Sequence, residues 1–197
     1  LPLHSPRILA LDDGFFPPSY KGGAGRTVLV GVVYKDMPID MSMRLILVDG
    51  RDASEKASEI CGELLSRGLK PQHVLTDGVT YAGFNYISLE SVSEACRAPA
   101  TAVFKYRPDP EAMERALRRH FPDHEERWRI IEPQVRGASA INTRRGVLYV
   151  YSTLKDREAV RRIVEALQTY SPTPEPLRIA DMVASAAARE MLRAGVI

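Results

Sequence analysis

Residues 7–11, Arg-Ile-Leu-Ala-Leu, form a short apolar run that ends on Asp12 and Asp13, the pattern of a strand buried on both faces of a sheet. A Gly/Pro-rich stretch at 14–25 turns the chain, and strand-like runs follow at 27–34 and 42–49. Their short connections predict an antiparallel meander. The period then changes. Asp52 and Glu55 read as a capping box, followed by Ala57, Ile60, Cys61 and Leu64 at helical spacing until Gly68. A strand at 73–76, a short helix at 88–97 and a strand at 100–105 come next, and Asp109-Pro110-Glu111 opens a helix that runs to His120. Strand-helix-strand passages of this kind imply parallel neighbours.

The segment 128–133, Trp-Arg-Ile-Ile-Glu-Pro, and the run 146–152 after the turn Asn-Thr-Arg-Arg-Gly read as a small hairpin set. Helices are predicted at 155–169 and 175–193. In the last one Leu177, Ala180, Ala184, Ala187 and Met191 mark one face for burial, and Asp181 falls at the edge of that face. There a lone carboxylate is costly unless it is paired, hydrogen-bonded or bound to a metal. The whole pattern predicts an α/β fold: a mixed sheet with strands 1–3 antiparallel and strands 4–5 parallel, helices on both faces, in one domain over residues 1–197. A ribonuclease H-like fold is one such arrangement.

Composition narrows the partners. With 27 basic and 25 acidic residues the formal charge is only +2, so any nucleic-acid binding must come from a local patch. No run approaches about 18 consecutive apolar residues, and the expected setting is cytoplasmic without membrane contact. Cys61 and Cys96 sit in helical apolar patterns, read as buried free thiols of a reducing cytosol.

Three carboxylates stand where a sheet can gather them: Asp12 ends the first strand, Asp77 ends the fourth, and Asp181 projects from the last helix. If strands one and four are parallel neighbours, their carboxyl ends share an edge, where open α/β sheets build their sites. Oxygen-only ligands suit Mg²⁺ or Mn²⁺ and phosphodiester hydrolysis. Lys105, closing the strand at 100–105, would hold a phosphate. Asp12 and Asp13 point to opposite faces, so only one is expected in the site. Each carboxylate also has a structural reading: Asp77-Gly78 as a turn, Asp52 and Glu55 as a cap first and metal ligands second, Asp181 as the partner of Arg178 or Arg145. The four histidines, His4, His73, His120 and His124, are spaced unlike a zinc site and read as surface or strand-end residues. Phe15, Phe16, Tyr81 and Phe84 lie in loops beside the carboxylates and are candidates for stacking on a base. Arg144 and Arg145 form a basic turn.

The strings "LDDGFF", "VDGRDASE", "DGVTYAGFN" and "PEPLRIADMVAS" closely resemble the archaeal endonuclease dU family, itself similar to endonuclease V. The resemblance runs from about residue 7 to residue 190 and implies a ribonuclease H-like fold. It also implies that Asp12, Asp77 and Asp181 hold Mg²⁺ or Mn²⁺, with Asp52 or Glu55 near the position of a further acidic residue, and that Lys105 orients the scissile phosphate. Tyr81, Gly83, Phe84 and Asn85, with Phe15, Phe16, Arg144 and Arg145, would contact the nucleic acid, DNA rather than RNA. "TYAGFN" stands where endonuclease V carries His-Pro-Arg-Arg, so deoxyinosine specificity does not transfer. The expected activity is endonucleolytic cleavage near a deaminated base such as uracil, a DNA-repair role. The alternative is a non-catalytic module that binds nucleic acid or protein.

Overall fold

The computed structural model describes residues 6–23 and 25–197. His4 therefore lies outside the described residues, as does Ala24 of the glycine-rich turn. The first strand, β1 (Ile8–Asp13), is flanked on one side by β2 (Arg26–Lys35) and β3 (Met37–Leu47), all antiparallel. On its other side β1 pairs in parallel with β4 (His73–Asp77), which pairs in parallel with β7 (Ala100–Phe104). Two antiparallel strands, β8 (Ser139–Thr143) and β9 (Gly146–Ser152), complete a seven-stranded sheet of order β3-β2-β1-β4-β7-β9-β8. A separate hairpin is formed by β5 (Thr80–Tyr81) and β6 (Asn85–Tyr86). The predicted antiparallel opening and parallel middle are both present.

Helices cover both faces. On one side lie α1 (Ala53–Ser66), α2 (Leu89–Cys96), α3 (Pro110–His120) and α4 (His124–Arg136), whose Ile60, Val92, Leu117 and Ile131 pack with Leu9, Leu11 and Val33 of the sheet. On the other lie α5 (Arg157–Ala166) and α6 (Glu175–Arg193), whose Val164, Leu177, Ala180 and Ala184 pack with Ile8, Ala10 and Val30. Alternation along β1 thus sends successive side chains to different cores, as a central strand requires.

Several expectations are corrected. The segment 128–133 lies within α4, with Pro133 inside its last turns. Arg127, Ile131, Gln134 and Val135 recur at helical spacing and are buried, which the short segment 128–133, read as part of a hairpin set, conceals. Asp52 makes no side-chain cap on α1. Its carboxylate instead accepts from the Leu47 N–H and from Asn85 Nδ2, so it staples β3 to the β5–β6 hairpin, while Glu55 is exposed. Cys61 and Cys96 are not free thiols. Both are fully buried and joined as a disulfide between α1 and α2. On α6 the buried positions are Pro176, Leu177, Ala180, Ala184 and Ala188, with Ala187 and Met191 partly buried, and Asp181 is exposed. Among the described residues no helix is long and apolar enough to cross a membrane.

Candidate functional site

The carboxyl ends of β1 and β4 meet because Leu11 pairs with Thr76 in parallel register, which places Asp12 beside Asp77 one residue further on. Side-chain alternation then decides the face. Asp12 follows Ala10 by two residues and Asp77 follows Leu75 by two, and both of these apolar residues belong to the core under α5 and α6. Lys105 follows Val103 of that same core in the same way. Asp181 comes to this face from α6. Four residues named from the sequence are therefore on one side of the sheet at one end.

Packing fixes the junction of β1 and α6. At Gly14, just past β1, a Cβ would lie 2.6 Å from the Ala184 carbonyl oxygen and 2.6 Å from Ala188 Cβ. Only glycine allows that approach. Asp13 turns to the opposite face, as alternation requires, and its Oδ2 accepts from the Ala82 N–H at 2.8 Å. Asp13 thus anchors the hairpin of β5 and β6 to the end of β1.

The electrostatics of the cluster are unfavourable. Asp12 is 7% exposed, and among the described residues its Oδ1 accepts only the neighbouring Asp13 N–H, at 2.8 Å. Burial first, then the charges of Asp77, Asp13 and Asp181, push its carboxyl up to about 9 against the help of that hydrogen bond. Asp13 rises to about 6, chiefly through burial. Asp77 is raised by burial, with the Lys105 ammonium pulling it down and Asp181 pushing it up. Asp181 accepts from Ser185 Oγ at 3.3 Å. Its proposed arginine partners are otherwise placed: Arg178 pairs with Glu175, and Arg145 lies in the β8–β9 turn.

Among the described residues no three His, Cys, Asp or Glu side chains form a ready metal-ligating group. The donor set nonetheless fits a hard cation: oxygen ligands only, like charges at close quarters, and no ion pair to Asp12, Asp77 or Asp181 among the described residues. Of the other residues read from the sequence, Phe15 is exposed, Phe16 and Phe84 are half-buried, and Gly83 is exposed at the hairpin tip. Tyr81 and Asn85, expected to contact a base, are buried instead. The Tyr81 hydroxyl donates to the Leu11 carbonyl, and Asn85 Oδ1 accepts from the Ala53 and Tyr86 N–H groups. Tyr81 thus ties the hairpin to the end of β1, and Asn85 ties it to the start of α1. Arg144 and Arg145 pack over the end of α5, where Arg144 pairs with Glu165, and belong to a groove of about 600 Å³ shared with Arg161 and Arg162. They do not join the carboxylates. His73 begins β4 as a buried residue, its Nε2 2.8 Å from Thr101 Oγ1, and burial lowers it to about 4.

Sequence reasoning missed Asp49. It is 8% exposed, adopts a left-handed backbone with φ 56°, and accepts from the N–H groups of Gly22 and Phe84, each at 2.8 Å. Gly83 has φ 89°, and a Cβ there would lie 2.2 Å from Asp49 Oδ1. The Asp-Gly pair that ends the run at 42–49 is the local signal, since Asp tolerates the left-handed region and bonds nearby backbone.

A UPF0215 protein of Thermococcus gammatolerans is 38% identical over 182 residues, covering 91% of each chain. Among solved structures, a protein of unknown function from Archaeoglobus fulgidus superimposes with a TM-score of 0.77 at 26% identity, over 92% of this chain and 97% of that one. Endonuclease V of Ciona intestinalis, in complex with a 24mer DNA containing an inosine followed by a ribo-adenosine, shares the fold. Its TM-score is 0.56 at 14% identity, over 95% of this chain and 86% of that one. The family profile described as Endonuclease dU matches residues 4–188, and the chain belongs to that family.

Proposed function

We propose that the protein is a Mg²⁺- or Mn²⁺-dependent endonuclease of ribonuclease H-like fold that acts inside the cell on DNA rather than RNA, cutting near an altered base such as uracil. The observation that supports this reading is that Asp12, Asp77 and Asp181 lie at one end of one sheet face, near enough for Asp77 and Asp181 to raise the Asp12 carboxyl, with no ion-pair partner among the described residues. Buried beside Asp77 and Asp13, Asp12 is disfavoured as a charge, and a divalent ion would restore the balance. When bound, that ion supplies Lewis acidity towards a phosphoryl oxygen and a lowered pKa for water.

Asp12 and Asp77 would hold the ion from the two adjacent strand ends, and Asp181 would complete the set from α6. Lys105 stands outside the cluster and exposed, placed to hold a non-bridging oxygen of the scissile phosphate as a point charge. Phe15, exposed just past the end of β1, would offer an apolar face to an unstacked base, whereas Phe16 and Phe84 pack against the core of the opposite face and Gly83 lies over Asp49. The match to an endonuclease family and the fold shared with a DNA-bound endonuclease V support the reading.

The test is cleavage of labelled oligonucleotides, each carrying a single uracil, inosine or unmodified base, with Mg²⁺, Mn²⁺ or EDTA. Cleavage that requires the metal and is lost in Asp12→Ala and Asp77→Ala supports the proposal. Cleavage that survives either substitution, or no cleavage of any substrate with either metal, overturns it.

A further inference from the structure

Arg189 lies on α6 eight residues after Asp181, about 12 Å further along the helix axis and less than a quarter turn round it. It is exposed, and among the described residues no carboxylate pairs with it. Its neighbours on α6 behave otherwise, Arg178 pairing with Glu175 and Arg193 with Glu190. Arg189 instead carries its guanidinium over the Phe15 ring, with Cζ 5.4 Å from the ring centroid. Phe15 is 41% exposed and follows Asp12 by three residues. The close contact of Gly14 with Ala184 and Ala188 locks the backbone of both partners in place.

This geometry matters for what Arg189 can still bind. A guanidinium attracted to a ring through its charge keeps N–H donors for other partners. A planar fork over a ring, with no carboxylate partner among the described residues, matches the two oxygens of a phosphodiester. We infer that Arg189, held on Phe15, is a phosphate-binding residue for the nucleic-acid strand, gripping its backbone a few nucleotides from the carboxylate cluster. Lys105 lies on the β7 side of the cluster and Arg189 on the side of the β1 end, so the strand is pinned on both sides of the acidic centre. The inference deepens the nuclease reading by adding a backbone contact that the reading itself does not require.

The experiment measures binding of a fluorescent single-stranded DNA oligonucleotide to the full chain in EDTA, by anisotropy, across a series of salt concentrations. Arg189→Ala should weaken binding roughly tenfold, the scale of one charged hydrogen-bonded contact. It should also reduce the slope of log K against log salt by about 0.7, the value for one single-strand phosphate contact. Arg189→Lys should keep the slope while binding more weakly, since the charge remains and the planar fork is lost. Phe15→Ala should weaken binding less in Arg189→Ala than in the wild type, because the part of the ring's effect that does not come from meeting a base acts through the arginine. An unchanged slope in Arg189→Ala, additive effects of the two alanine substitutions, or no salt-dependent binding by the wild type overturns the inference. Cleavage distinguishes the two failures. Metal-dependent cutting with an unaffected Arg189→Ala removes this contact and leaves the nuclease standing, whereas Arg189-dependent binding without cutting removes the nuclease and leaves the contact.

Discussion

Asp12 and Asp49 are buried to the same degree, 7% and 8% exposed, and the fold treats them in opposite ways. Asp49 receives two backbone N–H groups from separate segments, Gly22 and Phe84. Nearby Asp52 is likewise engaged by Asn85 and Leu47, and Arg127 closes the same region by donating to the carbonyls of Gly50 and Phe84. Asp12 has one adjacent N–H and three neighbouring carboxylates. Burial with donors turns a charge into a structural clamp. Burial without them pushes the carboxyl up to about 9, so that Asp12 is favoured as a charge at neutral pH only when a cation meets it. The two regions touch through Ala82, which donates to Asp13 and accepts from the Asp49 N–H, so the clamp holds the acidic end in shape.

The largest contrast should appear in activity. Asp12→Ala and Asp77→Ala are expected to cut the rate of metal-dependent cleavage by about 10³-fold, several kcal/mol of transition-state stabilisation, without lowering the melting temperature. A matching loss of stability would show that these carboxylates are clamps as well. Next in size is the disulfide, which ties α1 and α2 of the clamped region across 35 residues of sequence. Replacing both cysteines by alanine should lower unfolding free energy by about 3 kcal/mol, read by chemical denaturation. Asp49→Ala orphans two backbone donors and should cost about 2 kcal/mol. Hydrogen exchange should show that loss first in residues 80–86.

The acidic end should also betray itself in pH dependence. Because the Asp12 carboxyl is pushed up to about 9 in the fold, against an unfolded value of about 3.9, the folded state holds a proton that the unfolded chain has released. Metal-free stability should therefore be full below about pH 4 as far as this group is concerned, and should fall as pH rises towards 9. Asp12→Asn should flatten that fall and raise the melting temperature at pH 8. A melting temperature lowered by the substitution, or an unchanged pH profile, would contradict the picture. The smallest effect is expected from Glu55→Gln, which lies exposed outside both regions and should leave cleavage and stability within about 0.5 kcal/mol of wild type. A large loss of cleavage would return Glu55 to the metal site.

Local pattern carried the elements well. The helix expected at 175–193 spans those residues, because alanine-rich helical spacing and the prolines before it are readable without a partner. The parallel meeting of β1 and β4, which puts Asp12 next to Asp77, stood as a condition in the sequence and is met in the structure. What escaped depended on contacts between distant segments. Tyr81 and Asn85 look like loop residues in sequence, yet the hairpin turns them inward because Leu11, Ala53 and Tyr86 offer partners. Cys61 and Cys96 each read as a buried thiol, since the inward faces of α1 and α2 are visible separately and their apposition is not. Asp181 looked half-buried because helical periodicity locates a stripe, whereas its exposure depends on how far the sheet extends beneath α6.

The sequence by itself determined which residues alternate, cap and turn, because those preferences act over a few neighbouring positions. It also determined the acidic ends of β1 and β4, since an aspartate that closes a buried strand must lie at the sheet's edge. Only the tertiary structure decided which carboxylates receive donors and which face one another. A hydrogen bond or a repulsion between residues separated by tens of positions exists only once the chain has folded, and it is that difference that separates the clamp at Asp49 from the charge at Asp12.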